Sequence, residues 1–149
     1  MPTEKQKLGE IGENLVTTEC FCPKCKRSNT LRRLPPNFKC ADIICDFCGY
    51  LAQVKTKRKA IVDDLPKTIL GAAWGVQKER LDSAIYMPLF IVLYKSKDQY
   101  GIYYLSADLQ MPELFVPRKP LSENAQRAGW QGFYYDLSKL DGNPIVRVV

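Results

Sequence analysis

Two cysteine pairs, Cys22-Pro23-Lys24-Cys25 and Cys45-Asp46-Phe47-Cys48-Gly49, enclose Asp42, and Gln53-Val54-Lys55 follows the second pair. Two C-x2-C pairs with nineteen residues between them fall within zinc-ribbon spacing. Four thiolates then hold Zn²⁺ in a closed tetrahedron with no position left for substrate. The bland alternative, four buried structural thiols, leaves the polar, Pro-containing stretch between the pairs with little to hold it. Cys20 and Cys40 are surplus. Cys20 competes as a ligand only through a poorer C-x-C spacing, so packing is the role expected of both.

Asp42, Gln53 and Lys55 form the second constellation. Residues two apart on a strand share a face, so Gln53 and Lys55 point the same way, and a hairpin between Asp42 and Gln53 can set the carboxylate opposite them. The Asp42 carboxylate, the Gln53 side-chain carbonyl and the Val54 backbone carbonyl are hard oxygen donors of the kind Mg²⁺ takes. Lys55 would orient and activate the attacking water. D-x10-Q-x-K is a weak motif alone, because an Asp and a Lys on neighbouring strands are more often solvated surface. The chain has no histidine, which removes Ser-His, Cys-His and HNH-type chemistry and leaves metal and lysine.

Several elements must position these groups. Leu8 to Cys20 carries Leu8, Ile11, Leu15 and Val16 at helical spacing, with Glu10 and Glu13 between them, which predicts an amphipathic helix with Glu13 at the core edge. Leu31 to Leu34 reads as a short strand. Phe38 to Ile44 and Tyr50 to Thr56 read as two strands joined by the second cysteine pair, with Gly49 supplying a positive φ. Asp63-Asp64-Leu65-Pro66 looks like a helix start, and Ile69, Ala72, Ala73, Val76, Arg80 and Leu81 continue that pattern for about four turns. Gly71 and Gly75 would then mark close packing against the sheet. Pro88 to Lys95 and Tyr100 to Ser106 read as a hairpin, Gln110 to Ala128 as a basic, Pro-rich surface loop, and Gly132 to Leu137 as a last strand. Gly101-Ile102-Tyr103 lacks the second element of a GIY-YIG nuclease, so these are ordinary strand residues.

Asp42, Gln53-Val54-Lys55 and the helix segment Gly9-Glu10-Ile11-Gly12-Glu13 together resemble the PD-(D/E)XK nuclease superfamily. Four cysteines woven around the hairpin narrow the resemblance to the catalytic domain of the DpnI and Dam-replacing restriction endonuclease family. The segment from Arg118 to Gly132 is similar to that family's closing motif. The resemblance implies an α/β, restriction-endonuclease-like core, a mixed central sheet flanked by helices in the order α-β-β-β-α-β-β, as one domain over 1–149 with knuckles at 22–25 and 45–48. It implies Mg²⁺ (or Mn²⁺) beside structural Zn²⁺, hydrolysis of DNA to 5′-phosphates, and Glu13, or less favourably Glu10, holding a water or second ion. Gln53 departs from the usual Glu, which puts metal affinity in question. The winged-helix domain that helps those enzymes read methylated DNA is not expected within this chain. Methyladenine direction and a separate DNA-reading subunit therefore stay open.

The balance of 22 Lys+Arg against 16 Asp+Glu gives a formal net charge of +6, which favours a polyanionic partner such as double-stranded DNA. The candidate DNA contacts are Lys57, Arg58, Lys59, Arg118, Lys119, Arg127, Trp130 and Gln131. The run from Lys55 to Lys59 reads equally as a solvated face, and Trp130 equally as a core ring. At 149 residues with 46% hydrophobic side chains one core is expected. The start MPTEKQKLGE has no apolar signal region, and the longest apolar stretch has strand length. A cytoplasmic, reducing setting without a membrane follows, with a monomer or weak dimer expected. The rival reading is a catalytically inactive, zinc-containing nucleic-acid-binding module, with Gln53 as the mark of a dead site.

Overall fold

A computed structural model describes residues 3–36, 38, 41–74, 79–80, 82–117, 130–140 and 144–149. Its first element, α1 (Glu4–Glu19), starts earlier than the apolar period suggests because Thr3 and Gln6 form a capping box. Gln6 N–H donates to Thr3 Oγ1 at 3.2 Å, and Thr3 N–H donates to Gln6 Oε1 at 2.8 Å. Two of the helix's orphan donors are thereby satisfied. Nine strands follow: β1 (Leu31–Arg33), β2 (Ile43–Cys45), β3 (Leu51–Arg58), β4 (Thr68–Trp74), β5 (Leu89–Ser96), β6 (Gln99–Leu105), β7 (Phe115–Pro117), β8 (Trp130–Asp136) and β9 (Val146–Arg147) among the described residues.

The chain divides into two compact units. The first comprises Met1–Leu65, Met87–Ala107 and Ile145–Val149. Its sheet has the order β1-β2-β3-β5-β6-β9. β3 and β5 are parallel, whereas β1 with β2, β2 with β3, β5 with β6 and β6 with β9 are antiparallel. Helix α1 packs on β3 at Gly12, where an added Cβ would run into the Thr56 side chain. Thr56, Val54 and Ala52 therefore face the helix, and Val54 and Ala52 join Val16, Leu31, Ile43, Phe90, Val92 and Ile102 in the core. By the period of two, Gln53 and Lys55 face away from α1. The C-terminal segment is tied back to the sheet: Val148 N–H donates to Ile102 O at 2.8 Å, and Arg147 Nη1 donates to Asp63 Oδ1 at 2.6 Å.

The second unit comprises Pro66–Tyr86 and Asp108–Pro144. It holds an antiparallel sheet in the order β4-β8-β7. Phe115, Phe133 and Tyr135 pack ring against ring with centroids 5.0–5.6 Å apart, and Tyr86 stacks on Phe115 at 5.0 Å.

A helix expected from Pro66 onward is overturned, because Thr68–Trp74 is strand β4. Ile69 and Gly71 are buried while Leu70 between them is exposed, a period of two. Gly71 lies against Phe133 and Tyr135, whose ring atoms stand 2.7–2.9 Å from where its Cβ would be. The glycine does mark close packing, but from within a strand. Glu79, Arg80 and Asp82 are helical, and residues 75–78 and 81 lie outside the described residues. Among the described residues the expected order α-β-β-β-α-β-β thus gains strand β4 where the second helix was to begin. The loop expected over Gln110 to Ala128 also contains a 3-10 turn, Pro112–Leu114, and strand β7. Residues 118–129 lie outside the described residues. Among the described residues, no helix is long and apolar enough to cross a membrane.

Candidate metal centre and active site

Cys22, Cys25, Cys45 and Cys48 bring their Sγ atoms within 4.8 Å of one another. Sγ of Cys22 and Cys48 are 3.5 Å apart, and those of Cys25 and Cys45 are 3.8 Å apart. A tetrahedron with Zn–S bonds of about 2.3 Å has edges of about 3.8 Å, so the four thiols fit such an ion. Both knuckles use the same backbone bonds. Cys22 N–H donates to Arg27 O and Lys26 N–H to Cys22 O, while Cys45 N–H donates to Tyr50 O and Gly49 N–H to Cys45 O. Each second cysteine also points its N–H at the first one's sulfur, Cys25 at Cys22 and Cys48 at Cys45, both at 3.5 Å. Gly49 has φ +81 in this turn, as its sequence position implies. Lys26 takes the matching place with φ 64. Burial pushes the Cys22 thiol up to about 12. Burial acts on Cys45 in the same direction, yet its hydrogen bond with Thr30 and those from the Cys48 and Phe47 backbone outweigh it and bring that thiol down to about 6. Cys20 is buried apart from this cluster and is pushed up to about 12 by desolvation, which suits a packing role.

The knuckle at 45–48 closes the β2–β3 hairpin. Its register pairs Ile43 with Ala52, so the next position sets Asp42 opposite Gln53. Asp42 N–H donates to Ala52 O at 2.9 Å, and its Oδ2 accepts the Val54 N–H at 2.8 Å. Along a strand the N–H and C=O of one residue point to the same side. The Val54 carbonyl therefore projects toward the Asp42 side of β3, whereas Gln53 N–H points to β5 and donates to Pro88 O at 2.8 Å. The Asp42 carboxylate and the Val54 carbonyl thus lie together at the end of β2, hard oxygen donors of the kind Mg²⁺ takes.

Lys55 stands two residues along the same face. Desolvation lowers its ammonium pKa, and attraction to Asp42 and Glu13 opposes that only partly, with Lys5 adding to the lowering. Glu13 is raised by desolvation first and by the Asp42 charge second, against the hydrogen bond from Arg33. Arg33, on β1, reaches Glu13 Oε1 at 3.3 Å and Glu10 Oε1 at 3.7 Å. The sequence reading missed this arginine. Its signal, a second basic residue two positions before Pro35, gives no hint of a helix partner. Glu13 is thus held on α1 by Arg33, within electrostatic reach of Asp42 and Lys55.

Lys57 and Arg58 are exposed at the end of β3 and Lys59 is half-buried; the Arg58 guanidinium lies 5.5 Å from the centre of the Tyr94 ring. These cations lead away from Lys55 along one strand. Arg118, Lys119 and Arg127 lie outside the described residues, as do the side chains of Trp130 and Gln131, whose backbones form β8.

A mixed sheet backed by one helix, with a four-cysteine cluster that could hold a metal such as zinc at the turn of its central hairpin, defines a mixed α/β class with a candidate metal centre. The chain belongs to the Dam-replacing family (DpnI), whose sequence model matches residues 2–149. That membership suggests a restriction-related nuclease with DNA as its partner.

Proposed function

We propose that this chain is a Mg²⁺-dependent DNA endonuclease with a PD-(D/E)XK site made by Asp42, Gln53, Val54, Lys55 and Glu13. The observation that carries the reading is the 2.8 Å bond from Val54 N–H to Asp42 Oδ2. It fixes a carboxylate beside the strand carbonyl and one residue from the lysine. Asp42, the Gln53 amide oxygen and the Val54 carbonyl would hold the ion. When bound there, Mg²⁺ supplies polarisation of the phosphodiester, a more acidic water and charge stabilisation in the transition state.

The chain's own groups do the rest. Lys55 orients the attacking water against the phosphorus, and its lowered pKa brings the amine nearer to proton exchange at neutral pH. Glu13, steadied by Arg33, holds a water from the helix side. Lys57, Arg58 and Lys59 carry phosphates along the strand, which adds affinity without reading sequence. Arg118, Lys119, Arg127, Trp130 and Gln131 are the residue types that hold phosphates and read bases. Adenine methylation is the cue they would serve.

Asp42→Ala and Lys55→Ala should each lower cleavage about 100-fold or more, the cost of removing one preorganised transition-state contact, while DNA binding stays within a few-fold of the parent. Gel-shift titration beside single-turnover cleavage separates the two effects. Parental cutting by either variant removes these residues from the active site. Binding without any cutting, by the parent as well as the variants, favours the inactive binding module.

A further inference from the structure

The two zinc knuckles share a backbone and differ in what they place on it. Gly49 fills the left-handed position after the second pair, and Lys26 fills it after the first with φ 64. A side chain there costs about 1–2 kcal/mol relative to the right-handed form, and strain of this kind collects where a side chain has a task. Lys24 and Arg27 flank it, and all three are exposed. The Arg27 guanidinium lies 3.8 Å from the centre of the Phe47 ring, a contact that holds its planar fork flat. Phe21 and Phe47 are 66% and 60% exposed. Each directly precedes one cysteine of the Cys22–Cys48 pair, whose sulfurs are 3.5 Å apart. Asp46, the acidic residue of this region, is bonded to Arg32 at 3.0 Å.

Balancing the negative charge of a metal tetrathiolate would account for the cations. It would not account for two exposed phenyl rings, or for a lysine where the twin turn uses glycine. We propose that the first-knuckle surface, Lys24, Lys26 and Arg27 with Phe21 and Phe47, is a second docking site for the phosphodiester backbone of duplex DNA. The cations hold phosphates, Phe47 presets the Arg27 guanidinium, and Phe21 covers the sugar edge. This rests on the nucleic-acid part of the function above and not on cleavage.

The test is the salt dependence of binding to a short random duplex, with zinc content and Tm recorded for each protein. Each lost phosphate contact lowers the slope of log K against log salt by about 0.9. The triple variant Lys24→Ala, Lys26→Gly, Arg27→Ala should therefore lose about 2–3 units of slope with its zinc intact. Lys26→Gly alone, relieved of strain, should lose about 1 unit with a Tm at or above the parent's. Parental slopes in both variants overturn the proposal, and parental slopes with lost zinc assign the cations to the metal. A parent that cuts no DNA, beside variants whose slopes fall, removes the nuclease reading and leaves this surface standing.

Discussion

Lys55 places an ammonium where burial opposes its charge, with two carboxylates only partly offsetting the cost. An uncharged side chain of the same length would avoid that cost, so the ammonium is unfavourable for stability at this position. Lys55→Met, similar in length and uncharged, should therefore raise Tm while abolishing cleavage. A rise of about 2–4 °C corresponds to about 1 kcal/mol in a chain of this size. Thermal denaturation followed by circular dichroism reads it, and a Tm lower than the parent's would mean that Lys55 is net stabilising through Asp42 and Glu13. At this scale the sequence was informative where chemistry is local. The four thiols stand in two turns, each set within five residues, and Asp42 and Gln53 stand opposite one another because the second turn, with Gly49, fixes the register. Lys26 was not legible. Its left-handed φ follows from the symmetry of the two knuckles, which becomes visible only once both are folded on one centre.

Helix α1 and strand β3 bring the helix glutamate toward the hairpin site, and two glycines on the helix separate the causes. Nothing lies within 4 Å of a Cβ added at Gly9, whereas one added at Gly12 meets Thr56 on β3. Gly9→Ala should stabilise by up to about 1 kcal/mol through helix propensity. Gly12→Ala should destabilise by about 1–3 kcal/mol through overpacking, and should slow cleavage by shifting Glu13. Urea denaturation of the pair checks the signs, and a stabilising Gly12→Ala would show that the helix is free to move off the sheet. The helix wrongly expected over 68–74 has its cause at this scale too. Asp63-Asp64-Leu65-Pro66 is a fair helix start, and small residues such as Gly71, Ala72 and Ala73 satisfy either period. The decision comes from Phe133 and Tyr135 on β8, far along the chain, and local pattern holds no trace of that pairing. The Thr3–Gln6 capping box was readable in the sequence as T-x-x-Q, but the apolar period begins after it and drew the start to Leu8.

Across the whole chain the metal centre joins α1, β1 and the β2–β3 hairpin near one corner of the core. Cys22 and Cys45 are both fully buried there, so the binding energy of an ion held by the four thiols would also be folding energy for the first unit. Elemental analysis should find one zinc per chain, and Cys45→Ser should lose both the zinc and the cooperative unfolding transition. A Cys45→Ser protein as stable as the parent would reduce the cluster to packing. The family match spans both units, and the net charge of +6 suits a polyanion along either of the surfaces described. Whether these parts amount to an enzyme is settled most directly by incubating supercoiled plasmid with the parent protein in Mg²⁺ or Mn²⁺, and in chelator. Nicked and linear products are expected with either ion, with intact plasmid in chelator and intact plasmid with Asp42→Ala under all three conditions. Intact plasmid with the parent in both metals, or cutting that persists in Asp42→Ala, would contradict the nuclease reading.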